Sequence, residues 1–113
     1  MAAVWSDDAL RQELDDLLAM TDQMHAQLLA HDWEGLAENQ SLRDRRLRQL
    51  FERQIPPEAA GLVESGIQAI LKTDEDMKGI LMRVRDEIGR ELRGNQESRE
   101  VARTYSRNSR EGR

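Results

Sequence analysis

The stretch Val63–Ile88, VESGIQAILKTDEDMKGILMRVRDEI, decides the fold. Val63, Ile67, Ile70, Met77, Leu81, Val84 and Ile88 recur at alternating steps of four and three, and only Asp74 interrupts them. That spacing lines them along one side of a single helix. No proline stands between Pro57 and Gly94. The pattern therefore predicts a helix of about 36 residues, about 54 Å long at 1.5 Å per residue.

Two shorter helices precede it. Ser6 is the expected N-cap of the first, with Asp7 and Asp8 in the first turn complementing the helix dipole. Leu10, Leu14, Leu17, Thr21, Met24 and Leu28 form its stripe, which Leu18 and Leu29 widen. Trp5 lies just outside as a staple. Ala30-His31-Asp32 is a joint, and Asp32 can cap the second helix. Trp33, Leu36, Leu47, Leu50 and Phe51 form the expected buried stripe of that helix, broken by the polar Gln40 and Arg43. It must end near Gln54, because a residue before proline avoids the helical region and Ile55 precedes Pro56-Pro57. Pro57 suits the first position of the third helix. Two short links make the helices antiparallel neighbours. The expectation is all-α: an antiparallel three-helix bundle over 1–94 with a long third helix. A short helix over Glu97–Tyr105 and a disordered basic tail over Ser106–Arg113 would make up 95–113.

Folding at His31 and Pro56 sets the second helix against only about the first 20 residues of the third. Leu81, Val84, Ile88 and Leu92 then lack cover. Burying one such side chain contributes ~1.5–3 kcal/mol, so the tail, a second copy or a client chain is expected there. The same geometry brings Thr21, Gln40, Arg43 and Asp74 to similar heights. Arg43 and Asp74 either pair inside the bundle, fixing register, or turn to solvent.

Composition narrows the chemistry. Charged residues make up 35% of the 113 and aromatics 4%, which suits long solvated helices. A net charge of −5 argues against direct nucleic-acid binding. There is no cysteine, hence no disulfide frame or thiolate metal site. No signal-peptide pattern and no membrane span are read, and the expected location is the cytoplasm. His25 and His31 lie six apart, and Asp22-x-x-His25 has no second copy, so no metal is expected. Asp74-Glu75-Asp76 lacks the frame of a calcium loop. Ser41 and Ser65 have no partner histidine, and Gly61 and Gly66 lack the Lys-Ser/Thr of a phosphate loop. Neither an enzyme nor a cofactor is expected. Arg99, Arg103, Arg107, Arg110 and Arg113 could form a basic stripe, diluted by Glu97, Glu100 and Glu111; a solvated tail is the preferred reading.

Several local patterns resemble the FliT-type flagellar export chaperones. Asp32-Trp33-Glu34-Gly35-Leu36 looks like that family's W-[DE]-x-L opening of helix two, and Gln54-Ile55-Pro56-Pro57 like its Q-x-P-P break. Lys78-Gly79-Ile80-Leu81, followed by Asp86-Glu87-Ile88, is similar to its K-G-L-L and D-E-L pair. Gly94-Asn95-Gln96-Glu97-Ser98 through Thr104-Tyr105-Ser106 resembles its G-Q-S stretch closing in A-Y-G. The set spans nearly the whole chain in order.

The resemblance implies a small helical chaperone that holds the filament-capping protein before type III export. It extends the partners to the export ATPase complex and the flagellar master transcription regulator. It carries client-binding roles onto Ile67, Leu71 and Lys78, with Asp74 at an acidic position between them, and a displaceable cover onto the stretch around Val101 and Tyr105. Joined to the uncovered strip, this gives a groove whose contacts are Ile67, Leu71, Asp74, Lys78, Leu81, Arg85 and Ile88. Ile67 sits on the main seam and Leu71 one step off it, so Leu71 is the better surface residue. Two competing readings are a homodimeric adaptor that zips Leu81–Leu92 together, and a regulator of the flagellar transcription activator with no export role.

Overall fold

The structure is a computed structural model that describes residues 3–111, with side chains through residue 103. Three helices follow in order: α1 over Asp7–Leu29, α2 over Trp33–Glu52, and α3 over Ala60–Glu111, with a 3-10 turn at Pro57–Ala59 before the last. The chain divides into two compact units, one running through Lys78 and the other starting at Gly79.

The first unit is an antiparallel bundle with one apolar core. Leu10, Leu14, Leu17, Leu50, Ala59, Val63 and Ile70 are buried together, with Trp5 beside them. Ser6 caps α1 as expected: its hydroxyl accepts from the backbone N–H of Ala9 at 3.2 Å. Asp32 caps α2, its carboxylate accepting from Gly35 N–H at 3.0 Å. Between them His31 takes a left-handed φ of 57°, the only positive φ outside glycine among the described residues. That conformation costs a β-carbon residue roughly 1–2 kcal/mol. The turn is secured around it: Asp32 N–H donates to Gln27 O at 2.8 Å, and Asn39 Nδ2 donates to Gln27 Oε1 at 2.9 Å.

Trp5 does more than staple α1. Its indole Nε1–H donates to Leu50 O at 2.8 Å, and its backbone N–H donates to Gln54 O at 3.0 Å. Gln54 N–H in turn donates to Ala3 O at 2.9 Å, making an isolated parallel bridge between Val4 and Gln54. The guanidinium of Arg53 lies 4.3 Å from the centre of the Trp5 ring. The first residues thus satisfy carbonyls that the Pro56-Pro57 break leaves without helical partners.

Several expectations need correction. Trp33 and Phe51 are not buried: they are 44% and 58% exposed, and the buried residues of α2 are Arg43 and Leu50. Both aromatics sit one flank away from the Arg43–Leu50 line, toward the helix ends. Leu29 is 59% exposed and widens nothing. Gly94 does not end the third helix, which runs without interruption to Glu111. One interior glycine costs a helix only about 1 kcal/mol relative to alanine, and Glu91, Arg93, Gln96 and Glu97 around it are good helix formers.

Candidate partner-binding face

The first unit is braced by a polar contact across all three helices. Arg43 of α2 is 5% exposed. Its Nη1 donates to Asp74 Oδ1 of α3 at 2.6 Å and to Thr21 Oγ1 of α1 at 3.2 Å. Thr21 itself donates to Leu17 O at 2.8 Å. Burial alone would lower the Arg43 pKa, but the hydrogen bonds and charges of Asp74 and Asp44 outweigh it and hold the pKa above the ordinary arginine value. Of the two sequence alternatives, pairing inside the bundle is the one found. A second brace lies lower on α2, where Arg46 donates to both carboxylate oxygens of Glu13, at 2.9 and 2.8 Å. Those bonds, opposed by desolvation, raise the Arg46 pKa.

These contacts orient the helices. Residues turn by about 100° each around a helix, so Arg46 and Phe51 project on opposite flanks of the Leu50–Arg43 line. Arg46 reaches α1; Phe51 and Leu47 are therefore on the flank turned to α3. On α3, a β-carbon at Gly66 would meet Leu14 Cδ2 of α1 at 3.1 Å, whereas Asp74 meets α2. Ile67, Leu71 and Lys78 share the Asp74 flank. Counting outward from the Arg43–Asp74 pair, one turn brings Leu47 level with Ile70 and Leu71, and the next brings Phe51 level with Ile67. Leu71 is 55% exposed and Phe51 58%. Ile67 and Leu47 are half-buried against the core. Two large apolar side chains thus face solvent on adjoining flanks of two neighbouring helices.

The residues carried over from sequence separate into different tasks. Leu71 and Lys78 are exposed and free to meet another molecule; Ile67 is mostly core. Asp74 is half-buried and engaged by Arg43, so its main task is within the fold. In the second unit Leu81, Ile88 and Leu92 are 43%, 49% and 59% exposed, and Val84 is half-buried. The Arg85 side chain is 75% exposed, with Nε 3.9 Å from Asp86 Oδ1. Val101 is part of α3 and 68% exposed, so in this structure it covers nothing. The side chain of Tyr105 lies outside the described residues. Phe51 is the surface residue that sequence reading missed. Its signal was its place next to Leu50, about 100° round the helix from the buried Arg43–Leu50 line.

Among the described residues no three His, Asp or Glu side chains are grouped to hold a metal, and no helix is long and apolar enough to cross a membrane. A sequence model of the family described as flagellar protein FliT matches residues 11–107. The comparisons with curated proteins and with solved structures each returned no match.

Proposed function

The chain belongs to the FliT family of flagellar proteins, and on that premise we propose that it is an export chaperone that holds the filament-capping protein by taking a client helix along the α2–α3 flank. The observation that supports this is the shared exposure of Leu71 and Phe51. An amphipathic client helix with apolar residues at i, i+3, i+4 and i+7 would bury both, together with the exposed edges of Ile67 and Leu47. Lys78 stands on the same flank to meet a client carboxylate. Calorimetric titration with the purified capping protein tests the reading; the decisive variant is argued in the Discussion.

The strip Leu81, Ile88 and Leu92 in the second unit is a further apolar surface, for which a second copy is the competing occupant. Parallel pairing of two such helices would place Glu91, the seam position after Ile88, against its own counterpart, and like charges there oppose association. We therefore read the strip as a client surface and expect sedimentation velocity to give a monomer at micromolar concentration. A stable dimer whose formation Ile88→Asp abolishes would favour the adaptor reading.

The cover expected around Val101 and Tyr105 requires a second state in which the helix breaks, and Gly94 is the last glycine before that stretch. Gly94→Ala disfavours that break by roughly 1 kcal/mol. Where the covered state predominates in solution, client binding should tighten by up to about fivefold, and truncation after Gly94 should tighten it at least as much. Unchanged affinity in both would remove the cover from the mechanism.

A further inference from the structure

The turn between α1 and α2 presents two stacked rings to solvent. The centroids of His31 and Trp33 are 5.3 Å apart and their planes are 10° from parallel. Trp33 is 44% exposed and His31 is exposed. Leu29, two residues before the histidine, is 59% exposed. Tryptophan is on average among the more buried residues, and grouped exposed apolar side chains mark interaction sites. The rings stand on the secured turn described above, so little ordering would be needed on binding, which lowers its entropic cost.

The sequence on either side of the stack is one-sided in charge. From Gln12 to Leu42 the chain contains no lysine or arginine, but seven acidic residues. Glu13 and Asp16 are paired with Arg46. Asp22, Asp32, Glu34 and Glu38 lie nearer the turn, the last three all within six residues of the stack. Of the α3 residues in the first unit, Lys78 is the only base set toward this end. An aromatic face in a negative surround attracts a cation. A planar guanidinium both stacks on the ring and pairs with carboxylates, which a lysine ammonium does less well.

We propose that the His31–Trp33 stack is a docking site for an arginine side chain in a basic segment of a partner protein. It is separate from the Phe51–Leu71 face. Trp33 and Phe51 lie at opposite ends of α2, 18 residues or about 27 Å apart.

The test is NMR titration of the full-length protein at pH 8, with nona-arginine and nona-lysine as probes. Nona-arginine is expected to shift the Trp33 indole N–H and His31 ring resonances and to bind at least fivefold tighter than nona-lysine. Trp33→Ala should erase that preference, and Trp33→Phe should restore part of it. Glu34→Gln with Glu38→Gln should weaken both peptides. Equal binding of the two peptides to the unaltered protein would reduce the site to charge attraction alone and overturn the proposal. So would an arginine preference that survives Trp33→Ala, or shifts centred at Phe51 rather than at the turn.

Discussion

On the proposed function, Leu71→Glu is expected to abolish capture of the filament-capping protein and to leave the helical content unchanged. The two halves of this expectation rest on the same observation. Leu71 is 55% exposed, so a glutamate there remains hydrated in the free protein, and surface substitutions of this kind stay within about 0.5 kcal/mol. Glutamate is also a good helix former. In the proposed complex the position would be buried against a client helix. Loss of a leucine contact removes ~1.5–3 kcal/mol, and desolvating an unpaired carboxylate adds several more. The dissociation constant should rise by at least about 100-fold. Calorimetry measures the affinity and far-ultraviolet dichroism the fold. Phe51→Ala should weaken binding by about tenfold or more through lost area alone. A normal affinity for Leu71→Glu would move the client off the α2–α3 flank.

The largest expected effect on stability comes from Asp74→Ala. It leaves the buried guanidinium of Arg43 with only the Thr21 hydroxyl and the partly exposed Asp44, whose Oδ1 is 3.3 Å from Nη2. Its Nε already lacks a partner. Removing one member of a buried pair costs about 3–5 kcal/mol. Asp74 retains 32% side-chain exposure, so the lower end of that range applies. For a small domain roughly 3 kcal/mol corresponds to a fall in Tm of about 12–24 °C. Calorimetric melting of Asp74→Ala measures it. The double variant Arg43→Met with Asp74→Leu should recover most of the loss, because apolar groups of similar volume replace buried ion pairs at little cost. If Asp74→Ala melted within a few degrees of the parent, the pair would be a surface contact rather than a brace.

The sequence made some of these features readable and hid others for definite reasons. The long helix was legible because seven apolar residues keep a strict spacing over Val63–Ile88. The caps at Ser6 and Asp32 were legible because their side chains act within three residues. The Arg43–Asp74 pair was legible as a juxtaposition, since both interrupt a seam at the same height, but its sign was not. Whether such a pair turns in or out depends on the space Thr21 leaves, which is a property of the assembled bundle. Phe51 and Trp33 were misplaced for a related reason. Helical period says which flank a residue occupies, while burial depends on whether a neighbour is present there. The Val4–Gln54 bridge had no local signal at all, because its partners are fifty residues apart. The candidate face followed the same division: Leu71 was found by being off the seam, and its companion on α2 needed the helices to be set side by side.

The contrast between the two tryptophans has a practical consequence. Trp5 is sealed under Arg53 with its indole N–H bonded to Leu50 O, while Trp33 stands 44% exposed at the far end of α2. Their intrinsic emission should therefore resolve into a blue component shielded from acrylamide and a red component open to it. Unlabelled protein thereby carries a reporter of unfolding and, separately, a reporter of whatever settles on the α1–α2 turn.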